Sequence, residues 1–222
     1  MLAIIGDVGA LAGSFDQDLP GLPRGRGSLI REDVLAAQRP RLLRAVVSAA
    51  AEHGIAATTI ADIVTRARVS RQAFYKQFTD KESCLLAAVD SGIAVIMPRL
   101  EESGRAATAD GLEASLRAVV RTYLRISASE PEFTRAWTLE LPNAGTQGLA
   151  KRHDYFDKLA QGVRLIRYQA LNGRGRELPE STYLALVGGC HELFYRYVTD
   201  HRTADLAELE EPFIEFLLAS LA

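Results

Sequence analysis

Helix-start signals recur about every ten residues in one segment of this 222-residue chain, and they constrain the fold more than any other feature. Thr59-x-x-Asp62 has the pattern of a capping box, with Asp in place of the usual Glu, and predicts that a helix begins directly after Thr59. Ser70 is placed to cap the next helix, and Thr79 or Asp80 can cap the one after it. Starts this close together leave room only for short helices.

The apolar residues of this segment agree with that prediction. Arg41–His53 has paired apolar residues at a spacing of three to four, which predicts a helix with one buried stripe and with Gly54 as its C-cap signal. The next two helices would bury Ile63 and Phe74. Two short helices separated by a tight turn form a helix-turn-helix, whose second helix can enter the DNA major groove.

Charge is distributed unevenly along the chain. The formal net charge is only −2, which by itself argues against a nucleic-acid partner. Residues 39–81, however, carry eight basic and three acidic side chains, a net of +5, whereas residues 82–222 carry a net of −5. The basic segment coincides with the short helices, so we expect it to meet an anionic partner.

The polar residues of the third helix are of the types that read DNA. Arginine pairs bidentately with guanine and glutamine with adenine, so Arg71 and Gln72 are the candidates for contacts with base edges. Ser70, Tyr75 and Lys76 share the outer surface of this helix with them. The groups better suited to phosphates are Tyr75, Lys76, Lys81 and the hydroxyl of Thr59.

Residues 39–88 resemble the DNA-binding domain of the TetR family of transcriptional regulators. The resemblance rests on Thr-Ile-x-Asp-Ile from Thr59, Val-Ser-x-x-x-Phe-Tyr from Val69 and Phe-x-x-Lys-Glu from Phe78. Arg68 departs from the pattern, because the family usually has glycine at this turn position. A non-glycine residue can adopt the left-handed conformation there at a cost of roughly 1 kcal/mol, and Arg68 adds a positive charge near the DNA backbone.

The resemblance implies an all-α fold with three parts. Residues 1–38 are expected to be a flexible extension and arm, in which Arg24 and Arg26 could reach a minor groove. Residues 39–86 would form the three-helix DNA-binding domain, and residues 87–222 a helical domain for ligand binding and dimerisation. The apolar periodicity after residue 88 continues as helices, with loops at residues 142–148 and 172–179.

The resemblance also implies a homodimer in which the last two helices pair with their copies. Gly188 and Gly189 would allow the helices to approach closely. Apolar contact would come from Leu209, Phe213, Phe216 and Leu217.

A ligand cavity among the middle helices is a further implication of the resemblance. Candidates to line it combine apolar bulk with polar groups, as ligand pockets do, although large side chains at helical spacing are also typical of an ordinary core. They are Tyr123, Phe133, Trp137, His153, Tyr155, His191, Phe194 and Tyr195.

Enzyme and metal-site motifs are absent from the sequence. Cys84 and Cys190 have no metal-ligand spacing, and His191-Glu192 lacks the second histidine of a zincin motif. We therefore expect no cofactor, no catalysis and no membrane contact. Together with the family resemblance, the residues predict a cytoplasmic repressor that binds a palindromic operator in double-stranded DNA and is released by a small-molecule effector. The alternative is a regulator without a small-molecule inducer, which acts constitutively or through a protein partner.

Overall fold

The computed structural model describes residues 31–221, with side chains from residue 37 onward, and its regular structure in that range is entirely helical. The all-α prediction is confirmed. The expectations for residues 1–30, including Arg24 and Arg26, lie outside the described residues. The α-helices are α1 (Arg31–His53), α2 (Ile60–Ala67), α3 (Arg71–Tyr75), α4 (Lys81–Ala106), α5 (Leu112–Ser129), α6 (Pro131–Arg135), α7 (Gly145–Ala170), α8 (Glu180–Thr199) and α9 (Glu210–Leu221).

Helix α1 begins ten residues earlier than the sequence predicts, at Arg31 instead of Arg41. Pro40 lies inside it, although proline removes one helical hydrogen bond and is disfavoured in helix interiors. The predicted apolar stripe is confirmed, because Leu42, Val46 and their neighbours along the helix are buried.

The predicted caps set the boundaries of α2, α3 and α4. The amide of Asp62 donates to the Thr59 hydroxyl (3.2 Å), and the amide of Thr59 donates to the Asp62 carboxylate (2.9 Å), which completes the capping box. Ser70 accepts from the amide of Ala73 at 3.1 Å, and the Asp80 carboxylate caps α4. Because these caps follow one another closely along the chain, α2 and α3 are short.

Arg68 adopts the left-handed conformation predicted for the turn, with φ 53° and ψ 43°. Its amide donates to carbonyls of the last turn of α2 and closes that helix. Ile63, Ala67 and Phe74 are buried on the inner side, so α2 and α3 pack against α1 as a helix-turn-helix.

Helix α4 leaves the helix-turn-helix and continues into the second half of the molecule, where it packs on α5 and α7. Gly104 permits the close approach, since a Cβ there would lie 2.9 Å from a methyl group of Val119. By length and composition α4 is the one helix among the described residues that could cross a membrane. Here Leu85, Val89 and Ile96 are buried against neighbouring helices, as in the core helix of a globular protein.

A π-helical turn, Ala136–Glu140, follows α6 and joins the DNA-binding helices to the rest of the chain. The Glu140 carboxylate accepts from the buried amide of Ile55 at 2.8 Å, in the loop between α1 and α2. Nearby, Arg44 of α1 forms an ion pair with Glu132 of α6 at 2.6 Å. The two halves of the molecule are therefore connected through this turn as well as through α4.

Candidate DNA-binding surface and ligand cavity

Helix α3 and its C-cap residue Lys76 present four of the predicted DNA-contacting residues at the protein surface. Arg71, Gln72, Tyr75 and Lys76 are exposed, and Tyr75 retains 55% of its accessible area. Phe74 points inward and is fully buried, so it fixes the helix in the core. The surface offers two side chains with the geometry for base edges, followed by a hydroxyl and an ammonium group for phosphates.

Thr59 and Lys81, both predicted to contact phosphates, form hydrogen bonds within the protein. The Thr59 hydroxyl donates to the Asp62 carboxylate at 2.7 Å, so its hydrogen is committed to the cap of α2. The Lys81 ammonium donates to the carbonyls of Ala56 and Thr58 at 2.8 and 2.9 Å. An ammonium has three hydrogens, so Lys81 retains one for a phosphate, whereas the Thr59 hydroxyl retains none.

Ser70 and Arg68 flank the start of α3 and are exposed. Ser70 accepts a hydrogen bond through its oxygen, which leaves its hydroxyl hydrogen available to a phosphate. Arg68 lies in the turn that would face the DNA backbone if α3 entered the major groove.

A cavity of about 450 Å³ lies between α4, α5, α7, α8 and α9. Of the predicted lining residues, the structure brings Tyr123, His191 and Phe194 to it. Its wall is mostly apolar, and the polar groups lie at the two ends. His191 and Tyr123 form the inner end. Glu101, Glu102, Arg105 and Gln169 form the rim.

The other five predicted lining residues lie elsewhere, and for them the expectation is corrected. Phe133, Trp137 and Tyr155 are buried in the core behind the cavity, where Trp137 packs edge-on against Tyr155 with ring centroids 4.5 Å apart. His153 and Tyr195 are on the surface. Helical spacing identifies large side chains but does not tell which neighbour each of them faces.

Sequence reasoning missed the residues that give the cavity its length. A stripe along α7 lines it from Phe156 through Leu159, Gly162 and Ile166 to Gln169. The apolar members of this stripe are visible in the sequence as the buried face of a helix. Their role at a cavity depends on Gly162, whose missing side chain leaves space: no other heavy atom lies within 4 Å of the position that its Cβ would take.

Burial disfavours the charged form of each titratable group at the inner end of the cavity. Burial, with a smaller contribution from the positive charge of Arg152, lowers the pKa of His191 to about 4, so its ring is neutral near pH 7. Burial also raises the pKa of Tyr123 well above its usual range and that of the Cys190 thiol to about 12. These groups can therefore form hydrogen bonds to a ligand but carry no charge for it.

The predicted dimer residues divide into two groups. Leu209, directly before α9, and Phe213 and Leu217 of α9 are buried within the protomer, so they cannot supply contacts to a partner. Phe213 and Leu217 line the cavity. Phe216 is 43% exposed, and its ring lies over Gly189, where a Cβ would be 2.7 Å from the ring. On α8, Gly188 faces open space beside the exposed Leu184 and Tyr195.

Within residues 31–221, no group of three or more histidine, cysteine, aspartate or glutamate side chains is arranged to hold a metal ion.

Comparison with known proteins agrees with this architecture. The sequence model of the bacterial regulatory proteins of the tetR family matches residues 42–88. No curated protein matches the chain.

Solved structures share the whole fold at low sequence identity. The fatty acid degradation regulator FadR from Bacillus halodurans is 21% identical, with a TM-score of 0.67, and the match covers 83% of this chain and 96% of that protein. The transcriptional regulator FadR from Bacillus subtilis, in complex with stearoyl-CoA, is 18% identical, with a TM-score of 0.71 and coverage of 82% and 98%. SmeT, the repressor of the Stenotrophomonas maltophilia multidrug efflux pump SmeDEF, is 21% identical, with a TM-score of 0.64 and coverage of 82% and 88%.

The fold and the exposed surface of α3 define a helix-turn-helix DNA-binding protein with a second, helical domain. The chain carries the DNA-binding domain of the TetR family of transcriptional regulators.

Proposed function

We propose that the chain is a transcriptional repressor that binds a palindromic operator as a homodimer and is released from it by a small molecule. The observation that carries the DNA-binding step is the exposed surface of α3, with Arg71 and Gln72 for base edges and Lys76 for phosphate. The DNA-binding domain would comprise residues 39–86 and the ligand-binding and dimerisation domain residues 87–222. It would act in the cytoplasm without catalysing a reaction.

The dimer would form through the outer face of α8 and α9. Phe216, Leu184 and Tyr195 supply exposed apolar area there, and Gly188 allows a partner helix to approach. Apolar residues exposed together commonly mark a protein interface. A twofold symmetric dimer would present two copies of α3 to inverted half-sites, whose separation the dimer fixes.

The cavity supports control by a ligand over the alternative of a constitutive regulator. Its volume of about 450 Å³ lies in the range of small-molecule sites, and its wall is apolar with few polar groups. Stearoyl-CoA in the Bacillus subtilis FadR structure favours a lipophilic effector for a cavity in this fold. The two states are the dimer conformations in which the separation of the α3 helices does or does not fit the operator. An effector can shift the equilibrium between them by no more than its difference in binding free energy for the two conformations.

Two routes would connect the cavity to α3. Helix α4 lines the cavity with Met97 and Leu100 and begins at the helix-turn-helix. The π-helical turn places Trp137 beside His191, with ring centroids 5.8 Å apart, and Glu140 on the amide of Ile55.

The DNA-binding step is tested by two substitutions on the same surface. Arg71→Ala should reduce affinity for the operator far more than for random DNA, because it removes a base contact worth about 1–3 kcal/mol. Lys76→Ala should weaken both complexes alike and reduce their salt dependence. Equal losses on operator and random DNA for both variants would contradict the assignment of α3 as the reading helix.

A further inference from the structure

We infer that the effector is a long, uncharged aliphatic molecule with a hydroxyl or carbonyl group at one end, and that Gly162 determines how long its chain can be. This inference rests on the proposed function and specifies the ligand of the same cavity.

The first support is the shape of the cavity. Its lining on α7 extends from Phe156 to Gln169, and a helix rises 1.5 Å per residue, so the lining runs about 20 Å along the helix. Most of the lining residues are apolar. An elongated apolar site suits an extended aliphatic chain.

The second support is the position of Gly162. It lies about midway between Phe156 and Gln169 on the lining of α7. No other heavy atom lies within 4 Å of the position that a Cβ would take there, so a side chain introduced at this residue would start in the open space that Gly162 lines. Glycine lowers helix stability by about 1 kcal/mol relative to alanine, and here its absent side chain keeps the two halves of the cavity continuous.

The third support is the absence of a positive charge in the lining at the inner end. His191 packs edge-on against Phe156 with ring centroids 4.8 Å apart. Tyr123 lines the same cavity, and its phenol group interacts with Trp137 and Ser127. Arg152 stacks on Phe156, with its guanidinium carbon 4.2 Å from the ring centroid, but it is not among the residues that line the cavity. A neutral imidazole and a phenol suit a hydroxyl or carbonyl group better than a carboxylate, whose buried charge would lack a partner.

The fourth support is the charge of the rim. Glu101 and Glu102 contribute two negative charges there, and Arg105, the basic residue of the rim, forms an ion pair with Glu102. The rim is therefore net negative. A nucleotide thioester carries several phosphate charges and binds where basic side chains pair with them, so this rim disfavours such a head group.

The test uses the fluorescence of Trp137, the one tryptophan of the chain, which lies beside His191 at the inner end. The full-length protein is titrated with dodecan-1-ol below its solubility limit, and with dodecanoate and dodecanoyl-CoA below their micelle concentrations. We expect the alcohol to bind at least tenfold more tightly than either anion. The inference is overturned if the alcohol produces no saturable change, or if an anion binds as tightly as the alcohol.

Chain length is tested with Gly162→Leu and the matched control Gln161→Leu, which places the same side chain on the exposed side of α7. In the wild type and the control, affinity should rise about fourfold for each methylene group added from hexan-1-ol to dodecan-1-ol. In Gly162→Leu the affinity should stop increasing at a shorter alcohol than in the wild type. In Gly162→Ala it should stop at an alcohol of intermediate length. The role of Gly162 would be overturned if affinity increased with alcohol length in the same way in the wild type, the control and both Gly162 variants.

Failure of this inference can be distinguished from failure of the proposed function. Alanine and leucine favour helix over glycine, so the Gly162 variants should fold and bind the operator normally without effector. The proposed function fails if the wild type does not prefer the operator to random DNA. The ligand inference fails on the fluorescence titrations, whatever the DNA result.

Discussion

Glu140 is the residue whose replacement most directly tests the connection between the DNA-binding helices and the rest of the chain. The amide of Ile55 is buried, with the residue 1% exposed, and it donates to the Glu140 carboxylate at 2.8 Å. Glu140→Ala leaves this amide without its acceptor, and a buried unsatisfied donor costs about 1–3 kcal/mol. We therefore expect the variant to lose about 2 kcal/mol of unfolding free energy.

Scanning calorimetry at pH 7 measures this loss. For a protein of this size each kcal/mol lowers the melting temperature by about 2–4 °C, so Glu140→Ala should melt about 4–8 °C below the wild type. Glu140→Gln retains an acceptor oxygen but not the negative charge, and should show a smaller decrease. The control Glu177→Ala, which removes an exposed side chain with only a distant ion pair (3.9 Å), should change little.

The same variant should also separate ligand binding from release of DNA. Trp137 lies next to the cavity, so the fluorescence of Glu140→Ala should still report effector binding. Because this variant loses the hydrogen bond between Glu140 and the amide of Ile55, a higher effector concentration should be needed to release the operator. A Glu140→Ala protein that melts within about 1 °C of the wild type would refute the assigned role of this contact, since the expected loss corresponds to at least about 2 °C.

Three further predictions follow from single residues. Arg68→Gly should raise the unfolding free energy by up to about 1 kcal/mol, because it relieves a left-handed conformation that costs a non-glycine residue about 1–2 kcal/mol; chemical denaturation that finds a loss instead would contradict this account of the turn. His191 has a folded pKa of about 4 against an ordinary value of 6.5, so the unfolded chain binds the extra proton and stability should fall as the pH is lowered through that interval. Denaturation curves of His191→Phe should lack this part of the pH dependence, and an unchanged dependence would count against the buried neutral ring. The homodimer proposed above should become a monomer in sedimentation experiments on Phe216→Lys, whereas Leu149→Lys, at an equally exposed apolar site on α7, should leave it dimeric. A Phe216→Lys protein that remains a dimer would place the interface elsewhere.

The sequence was most informative where local chemistry determines the structure. The caps at Thr59, Ser70 and Asp80 and the left-handed turn at Arg68 depend on residues three or four positions apart, and all four are found as predicted. The predicted start of α1 was wrong. The helix continues through Pro40, although proline is disfavoured in helix interiors, so the local sequence indicated a later start.

Features that depend on packing between distant segments were harder to predict. Leu209 and Phe213 have the pattern of an apolar helix face, but that face packs within the protomer, while Phe216 remains exposed. Likewise the sequence gives no reason to choose Gly162 over other glycines of the chain. Only the arrangement of α4, α5, α7, α8 and α9 creates the cavity that Gly162 lines.

The hydroxyl of Thr59 and the ammonium of Lys81 illustrate the same limit at the DNA-binding surface. Their residue types suit phosphate contacts, but the partners they find within the protein, Asp62 and the carbonyls of Ala56 and Thr58, are visible only in the structure.

Selection of bound duplexes from random DNA tests the central claim most directly. A homodimer that reads DNA through α3 should enrich a sequence of two inverted half-sites with a constant separation, and Arg71→Ala should lose preference at the corresponding position of each half-site. Enrichment of no sequence, or of a single half-site without its inverted copy, would contradict the account.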